Sequence, residues 1–467
     1  MKSLTNEEQY KRMVETPIPQ VVTALAIPTT ISQLVTVVYN TADTYFVSQI
    51  STGAAAAVGV VFALMSLIQA VGFGLGMGAS SLISRQLGAK NNDKANITGS
   101  SAFAAAVLCG LILMVAGLST LTPLMRVLGA TDTVLPYACS YAWIILAGAP
   151  FMCSAFVLNA VLRAEGETSL AMWGLCAGGI LNMILDPVLI FVVGMGISGA
   201  ALATVLSQIV SFGILLSFFL RKRSIVRLDI RKISFRLRTY TDIVKTGVPT
   251  ICRQGMGSLA SALLNIQAAA FGDAALAAIT IANKVYMLVR NLVLGIGQGF
   301  QPVAGYNYGA GRKERVKSAF RFTCMVGSII CVTAAILLFI GAPAVMTWFR
   351  HDDQDVILMG TKAIRIACLI LPFMAFSTYV NQMYQCLGFS KPATFLASCR
   401  QGIFFVPLIL ILPLIAGYTG VQMSQPGADL FTFLISIPFQ IRFFKNHLQD
   451  EEQPASSSLN EQDMDVQ

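Results

Sequence analysis

The chain has 467 residues, of which 55% are hydrophobic and only 12% are charged, and its net charge is +9. Soluble domains carry about 25% charged residues, so this composition, with a mean hydropathy of +0.69, excludes an ordinary soluble enzyme, a disordered protein and a coiled coil. A membrane span needs about 20 apolar residues. In chain order we find twelve such stretches, at residues 18–46, 54–83, 98–122, 135–162, 169–193, 197–220, 242–270, 275–304, 318–341, 357–386, 393–415 and 417–441.

The basic residues predict how the spans are oriented. Of the 32 Lys and Arg residues, 24 fall in the two terminal segments and in the loops that follow even-numbered spans, whereas the opposite loops hold two. Cytoplasmic loops carry the excess of Lys and Arg, so we expect a multi-pass protein of the cell membrane with both termini in the cytoplasm. The positive charge therefore marks a membrane face and needs no nucleic-acid partner.

The spans fall into two halves that resemble each other. Residues 27–29 (Ile-Pro-Thr) match residues 248–250 (Val-Pro-Thr) at an offset of 221, and the glycines of the second and fourth spans recur at nearly the same offset. Because each half has six spans, the repeats are parallel, as in many transporters. We predict an all-α integral membrane fold with two parallel six-helix bundles, an N-lobe and a C-lobe, around a central cleft. The predicted segments are a cytoplasmic N-terminus (1–17), the N-lobe (18–220), a basic cytoplasmic linker (221–241), the C-lobe (242–441) and an acidic, disordered tail (442–467).

Several motifs resemble the multidrug and toxic compound extrusion (MATE) family. They are Thr-Ala-Asp-Thr-Tyr-Phe-Val at 41–47, Leu-Asn-Met-Ile-Leu-Asp-Pro at 181–187 and Gly-Ala-Ala-Leu-Ala-Thr at 199–204. The resemblance covers about residues 15–445. It implies a secondary antiporter that exports organic, often cationic, compounds in exchange for H⁺ or Na⁺ by alternating access. It also implies a coupling site in the first half, and by position this site falls on Asp43, Asn182, Asp186 and Thr204.

Asp186 is the strongest candidate on its own chemistry. An ionisable residue within a span costs about 2.5–3.5 kcal/mol on insertion scales and is a functional candidate by default. Asn182 lies four residues earlier and faces the same way on a helix, and Pro187 leaves the carbonyl of Met183 without its N–H donor. These oxygens suit Na⁺, while a desolvated carboxylate suits a proton. The alternative is an aspartate that packs two helices by bonding a neighbouring hydroxyl.

Asp43 and Pro28 belong to the first span. At 1.5 Å per residue, Asp43 lies about 37 Å from the start of this span, so it is either a coupling acid or an interfacial acid that faces water. Pro28 would bend the helix. The family resemblance implies that Pro28 is a hinge whose bend changes on protonation.

Four further polar residues are candidates for the cleft or for coupling. Asn159 is placed about 24 Å below the outer end of the fourth span, nearer the inner side than the other candidates. Gln33 and Gln254 occupy matched repeat positions and either line the cleft or join helices. Asp429 either forms a structural ion pair or takes part in transport. Its possible partners are the six cations within second-half spans, whose role the sequence leaves open: Arg253, Lys284, Arg290, Lys362, Arg365 and Arg400.

Other classes of function are weighed against this reading. The ten cysteines form no C-x-x-C pair and the two histidines lie apart, so we expect no metal site and no cofactor besides the coupling ion. We find no convergent catalytic group and expect no enzyme. A flippase for lipid-linked oligosaccharides or lipids, with a similar two-bundle plan, is the alternative function. We expect small organic substrates and the lipid bilayer as partners, and a monomer.

Overall fold

The computed structural model describes residues 5–349 and 353–448, and within them every long element is a helix. Each long apolar run is helical because a helix satisfies its backbone hydrogen bonds internally, as lipid requires. Short breaks at glycines or polar turns separate the helices. The helices are α1 (Asn6–Val14), α2 (Ile18–Ser48), α3 (Thr52–Gly88), α4 (Asn92–Ser119), α5 (Leu121–Val127), α6 (Leu135–Ala164), α7 (Thr168–Pro187), α8 (Ile197–Leu220), α9 (Leu237–Ala269), α10 (Asp273–Gly309), α11 (Lys313–Phe349), α12 (Gln354–Cys386), α13 (Ser390–Ser398), α14 (Phe405–Ala416) and α15 (Tyr418–His447).

The predicted twelve spans are confirmed. In the described part of the chain, eleven helical segments are long and apolar enough to cross a membrane, and α9, with 33 residues, is the twelfth long helix. Helix α9 falls outside the eleven because it carries more polar residues, Arg253 and Gln254 among them. A π turn follows α7 at Val188–Val192, and another joins α13 to α14 at Cys399–Ile403.

Two predicted boundaries differ from those in the structure. Helix α9 begins at Leu237, inside the segment expected as a linker, and α15 continues to His447, beyond the expected end of the C-lobe. In both cases polar residues extend a helix past the apolar run from which the boundary was drawn. The N-terminal segment contains the helix α1, whose N-terminal end is capped by a capping box of Thr5 and Glu8. The acidic residues 450–467 lie outside the described residues.

The two lobes touch through small residues at two equivalent crossings. At the first, a side chain on Gly74 or Gly78 of α3 would run into Ile251 or Ile243 of α9. At the second, a side chain on Gly295 or Gly299 of α10 would run into Thr30 or Ala26 of α2. Small residues let backbones approach closely where lipid offers little apolar drive for association. The glycine repeat seen in the sequence therefore marks the contact between the lobes.

A pair of matched hydrogen bonds closes the lobes at the end of the molecule that holds both termini. Arg85, at the end of α3, donates from Nη1 to the Leu387 carbonyl after α12, over 3.2 Å. Tyr306, near the end of α10, donates from its hydroxyl to the Glu165 carbonyl after α6, over 3.5 Å. Arg85 and Tyr306 occupy equivalent repeat positions, as do Glu165 and Leu387. The cleft between the lobes is thus closed at this end.

The linker between the lobes is fastened to the N-lobe. The backbone N–H groups of Val226, Arg227 and Asp229 donate to the side chains of Glu165 (2.9 Å), Asn96 (2.7 Å) and Ser100 (3.0 Å). Glu165 lies just outside its span, and burial raises its pKa to about 8. Docking the linker beneath the N-lobe satisfies backbone groups that would otherwise be buried without partners.

Replacing Gly247 of α9 by alanine tests the glycine crossing. A side chain there would strike the backbone of Gly74, so we expect Gly247→Ala to hold the lobes apart at the end that holds the termini. Cys386, which is 1% exposed, lies beside the Arg85–Leu387 contact and should then react faster with an impermeant maleimide, as measured by peptide mass spectrometry.

Gly255, in the same helix, has open space around it, so Gly255→Ala is the matched control and should leave the rate unchanged. Equal Cys386 labelling in the two variants would contradict the assignment of Gly247 to the closing contact.

Candidate functional site

A cavity of about 90 Å³ lies in the N-lobe between α2, α3, α6, α7 and α8, and Gln298 of α10 also lines it. Drug-sized ligands occupy pockets of about 300–1,000 Å³, so the cavity has room for an ion and water but not for such a ligand. Four predicted site residues line it, together with two aromatic rings, Phe73 and Phe156, whose centroids are 4.2 Å apart. The four residues are Gln33, Asn159, Asn182 and Thr204.

Asn182 joins the cavity to Asp186. Its Nδ2 donates to Asp186 Oδ1 over 3.2 Å, and the same nitrogen lies 3.5 Å from Thr204 Oγ1 on α8. Asp186 is 0% exposed and Asn182 is 3% exposed. Helix α7 ends at Pro187, directly after Asp186, and the chain continues as the π turn. The structure therefore brings together three of the predicted coupling residues, in contact with one another.

Three oxygen atoms at this position have no hydrogen-bond partner among the described residues. They are Asp186 Oδ2, Asn182 Oδ1 and Asp43 Oδ1, and all three are buried. An unpaired buried polar atom costs about 1–3 kcal/mol, and almost all such atoms in folded proteins find partners. The arrangement therefore leaves acceptors that a bound cation or a proton would satisfy.

Asp43 approaches the same place from α2. It is half-buried, and its carboxylate is close enough to that of Asp186 for the two charges to repel each other. Neither carboxylate forms an ion pair with Lys or Arg within the described ranges. Two carboxylates that share a site in a medium of low polarity cannot both stay charged without a proton or cation between them.

Tyr141 of α6 belongs to this site, although we did not predict it. The residue is 0% exposed. Its hydroxyl lies 4.0 Å from Met65 Sδ and within interaction range of Thr204, Asp43 and Asp186. A buried tyrosine hydroxyl normally finds a partner, so a tyrosine within an apolar span was the available signal. A search for charged residues within spans does not select an uncharged phenol, and Tyr141 was missed for that reason.

Asn159 lines the cavity but has a structural contact as well. Its Nδ2 donates to the Ala171 carbonyl of α7 over 2.8 Å. The equivalent residue of the C-lobe, Asn381, donates in the same way to the Ala393 carbonyl over 2.6 Å. Because both lobes repeat the bond, its function is to join the fourth helix of each lobe to the fifth. Gln33 faces the cavity from α2, one turn beyond Thr29.

Thr29 connects the candidate hinge to the other lobe. Helix α2 runs through Pro28 without a break. One residue later the Thr29 hydroxyl lies 2.7 Å from the Gly295 carbonyl of α10 and is hydrogen-bonded to it. Any bend of α2 at Pro28 therefore moves a residue that contacts the C-lobe.

Arg163 directly follows the predicted fourth span, which ends at residue 162, and was one of the 24 basic residues assigned to loops and termini; that placement is wrong. Helix α6 continues to Ala164, and Arg163 is 7% exposed. Its Nη1 donates to Gln298 Oε1 of α10, and its guanidinium lines the cavity. The guanidinium finds a neutral oxygen in the other lobe, which allows the charged group to be buried at the junction.

Asp429 and Gln254 lie in the C-lobe, apart from the N-lobe cavity. Asp429 is 3% exposed and forms an ion pair with Arg400, whose Nε lies 2.7 Å from Oδ1. Tyr286 bridges the same two side chains through its hydroxyl, and Gln425 donates to Asp429 Oδ1 over 3.1 Å. The ion-pair alternative for Asp429 thus has a structural basis, with Arg400 as the partner.

Only some of the other second-half cations join this group. Lys362 donates to the Thr419 hydroxyl over 2.8 Å, and Arg365 lies over the Phe339 ring at 5.4 Å. Lys284 is exposed. Arg253 and Arg290, in contrast, lie within electrostatic range of Arg400 and of each other.

Comparisons with known proteins agree with this architecture. The sequence matches the family model described as MatE over residues 28–188 and 249–411, one stretch in each lobe. The multidrug export protein MepA of Staphylococcus aureus is 26% identical over 419 residues, which cover 90% of this chain and 92% of MepA.

Solved structures are similar over almost the whole chain. One is reported as the outward-facing conformation of a multidrug resistance MATE family transporter of the MOP superfamily. It has a TM-score of 0.89 and 26% identity, and the match covers 95% of this chain and 99% of that one. Another is a MOP superfamily transporter from Pyrococcus furiosus, reported to have a binding pocket of reversed polarity, with a TM-score of 0.86, 26% identity and coverage of 95% and 100%.

Two six-helix lobes that meet along a cleft, with buried ionisable groups in each, define a membrane transporter rather than an enzyme. The family model covers more than half of the chain, with one match in each repeat. The chain therefore belongs to the MatE family of membrane transporters, as the motifs at 41–47 and 181–187 indicated.

A double-mutant cycle tests the Arg400–Asp429 pair. Removing one partner of a buried ion pair costs about 3–5 kcal/mol because the other charge is left unpaired. We expect Asp429→Asn and Arg400→Gln each to lower the free energy of unfolding in detergent, and the double variant to lose less than the sum of the two.

Lys362→Gln, which removes an exposed cation, is the control and should change the free energy of unfolding little. Strictly additive losses for Asp429→Asn and Arg400→Gln would show that the two side chains do not stabilise each other.

Proposed function

We propose that this protein exports organic compounds, cationic drugs among them, across the cell membrane in exchange for H⁺ or Na⁺. The observation that carries the proposal is the group of unpaired oxygens around Asp186 in the N-lobe. The MatE match and the similarity to MepA, a multidrug export protein, support drug export over the flippase alternative.

The coupling ion binds where the acceptors are unsatisfied. Asp186 supplies a carboxylate oxygen, Asn182 an amide oxygen and Asp43 a second carboxylate, and the Thr204 hydroxyl adjoins Asn182. Oxygen ligands of this kind suit Na⁺, and the paired carboxylates also suit a shared proton. Either ion neutralises charge that the surrounding apolar helices solvate poorly.

Alternating access follows from which end of the cleft is closed. The matched contacts of Arg85 and Tyr306 close the end that holds the termini, and the distribution of Lys and Arg assigns this end to the cytoplasm. The described arrangement is then closed on the cytoplasmic side, and in this proposal exchange takes place at the opposite, outer end. Ion binding there shifts the balance of conformers by its differential affinity for them, and it releases the exported compound.

Replacing Asp186 tests the coupling role in proteoliposomes that contain the purified protein. Ethidium counterflow is driven by a Na⁺ gradient at fixed pH and then by a pH gradient without Na⁺. The wild-type protein should respond to at least one gradient. Asp186→Asn should abolish gradient-driven uptake, because an amide neither releases a proton nor supplies a charged ligand.

Asp132→Asn is the matched control, since Asp132 is an exposed aspartate that pairs with Arg126 at the surface, and it should transport like the wild type. An Asp186→Asn protein that still moves ethidium against its gradient with wild-type ion dependence would remove Asp186 from the coupling step.

A further inference from the structure

The C-lobe contains a concentration of positive charge at the depth where the N-lobe has its cavity. Arg253 lies near the middle of α9, Arg290 near the middle of α10, and Arg400 in the π turn between α13 and α14. Asp429 pairs with Arg400 and lies within electrostatic range of Arg290. Three guanidinium groups and one carboxylate leave an excess of two positive charges within the membrane-spanning part of the lobe.

The ion pair with Asp429 accounts for one of these arginines. Asp429, Tyr286 and Gln425 form a hydrogen-bonded group around Arg400. Arg253 makes no hydrogen bond or ion pair with any described residue. Arg290 Nε is buried and also has no hydrogen-bond partner among the described residues. A purely structural pair would need only Arg400, so the other two charges require a separate explanation.

The internal repeat shows that the equivalent positions in the N-lobe surround the cavity described above. At the repeat offsets of 221 and 222, the C-lobe residues correspond to residues that all line the N-lobe cavity. The pairs are Arg253 with Ser32, Arg290 with Gln69, Arg400 with Gly178, and Asp429 with Gln208. The same fold position is therefore neutral and polar in one lobe and strongly basic in the other.

Placing an arginine at the centre of a membrane helix costs about 2.5–3.5 kcal/mol on insertion scales, and clustering three adds mutual repulsion. Arg253 and Arg290 are half-buried, and their repeat equivalents Ser32 and Gln69 line the N-lobe cavity, so a ligand in the corresponding part of the C-lobe can reach them. A guanidinium group offers a planar pair of N–H donors that matches the two oxygens of a carboxylate or phosphate. An oxyanion would neutralise the excess charge and satisfy the free donors together.

We propose that Arg253, Arg290 and Arg400 form a binding site in the C-lobe for an oxyanion group, a carboxylate or a phosphate, of a small compound. The Asp429–Tyr286 pair positions Arg400 within this site. The N-lobe carboxylates and the C-lobe arginines then give the transporter two compartments of opposite polarity. Binding of the oxyanion does not depend on the proposed drug export.

Anion binding is tested on the full-length protein, purified in a neutral detergent, with carboxyfluorescein as the anionic probe and fluorescence anisotropy as the readout. We expect saturable binding that weakens as salt is raised. Arg290→Gln and Arg253→Gln should each raise the dissociation constant about ten-fold or more, equivalent to about 1.4 kcal/mol. Glutamine keeps the polarity, and neither arginine has a bonded partner whose loss would unfold the protein.

Lys284→Gln is the matched control, because Lys284 is an exposed cation on the same helix as Arg290, and it should bind the probe like the wild type. Competition then identifies the source of the oxyanion. Displacement by citrate or inorganic phosphate assigns the site to soluble anions, and displacement by short-chain phosphatidylglycerol alone assigns it to a lipid headgroup. No saturable binding to the wild type, or wild-type affinity in both arginine variants, overturns the proposal.

Because this assay needs no gradient and no transport, its failure leaves the export proposal standing. Loss of ethidium counterflow in Asp186→Asn likewise says nothing about the arginines. The two proposals can therefore fail separately.

Discussion

A charged group inside an apolar bilayer must be neutralised by a partner, and this requirement explains where the ionisable residues of the protein lie. At the surface a charge can be left to water, but within the spans it is either paired or held next to a space that a ligand can enter. Asp429 is paired with Arg400. Asp186 is hydrogen-bonded through one oxygen only. A buried charge that has no partner and adjoins such a space is where ligand binding releases the most free energy.

The contact between the lobes suits a molecule that must open and close. Glycines bring α3 against α9 and α10 against α2, and two hydrogen bonds close the end that holds the termini. Helix α2 carries Asp43 near one end and Pro28 with Thr29 toward the other. We expect this helix to transmit ion binding to the contact at Gly295.

Sequence reasoning predicted the fold well because membrane helices depend on length and hydropathy, which one sequence displays. The repeat predicted two six-helix lobes, and the structure adds that its matched glycines, Gly74 and Gly295, lie where the lobes touch. The site was predicted in part: the spacing of Asn182 and Asp186 places them on one helix face, and the structure adds their contact with Thr204. Tyr141 and Arg163 were missed because their roles depend on contacts between helices far apart in the sequence.

The C-lobe illustrates the same limit. The sequence shows six cations within second-half spans, but only the packing of the C-lobe helices separates the three that cluster from Lys284, Lys362 and Arg365. Comparison of the lobes then indicates that the cluster is a binding site, because the repeat equivalents of its members line the N-lobe cavity. Pseudo-symmetry is thus evidence about a site as well as about a fold.

The central claim is that Asp186 links ion binding to substrate binding. The most direct measurement is the dissociation constant of ethidium for the purified protein over a range of pH without Na⁺ and over a range of Na⁺ at fixed pH, for wild type and Asp186→Asn. Linkage is reciprocal, so the wild-type constant should rise as the coupling ion is added, and that of the variant should stay constant. A variant that keeps the wild-type ion dependence would contradict the account.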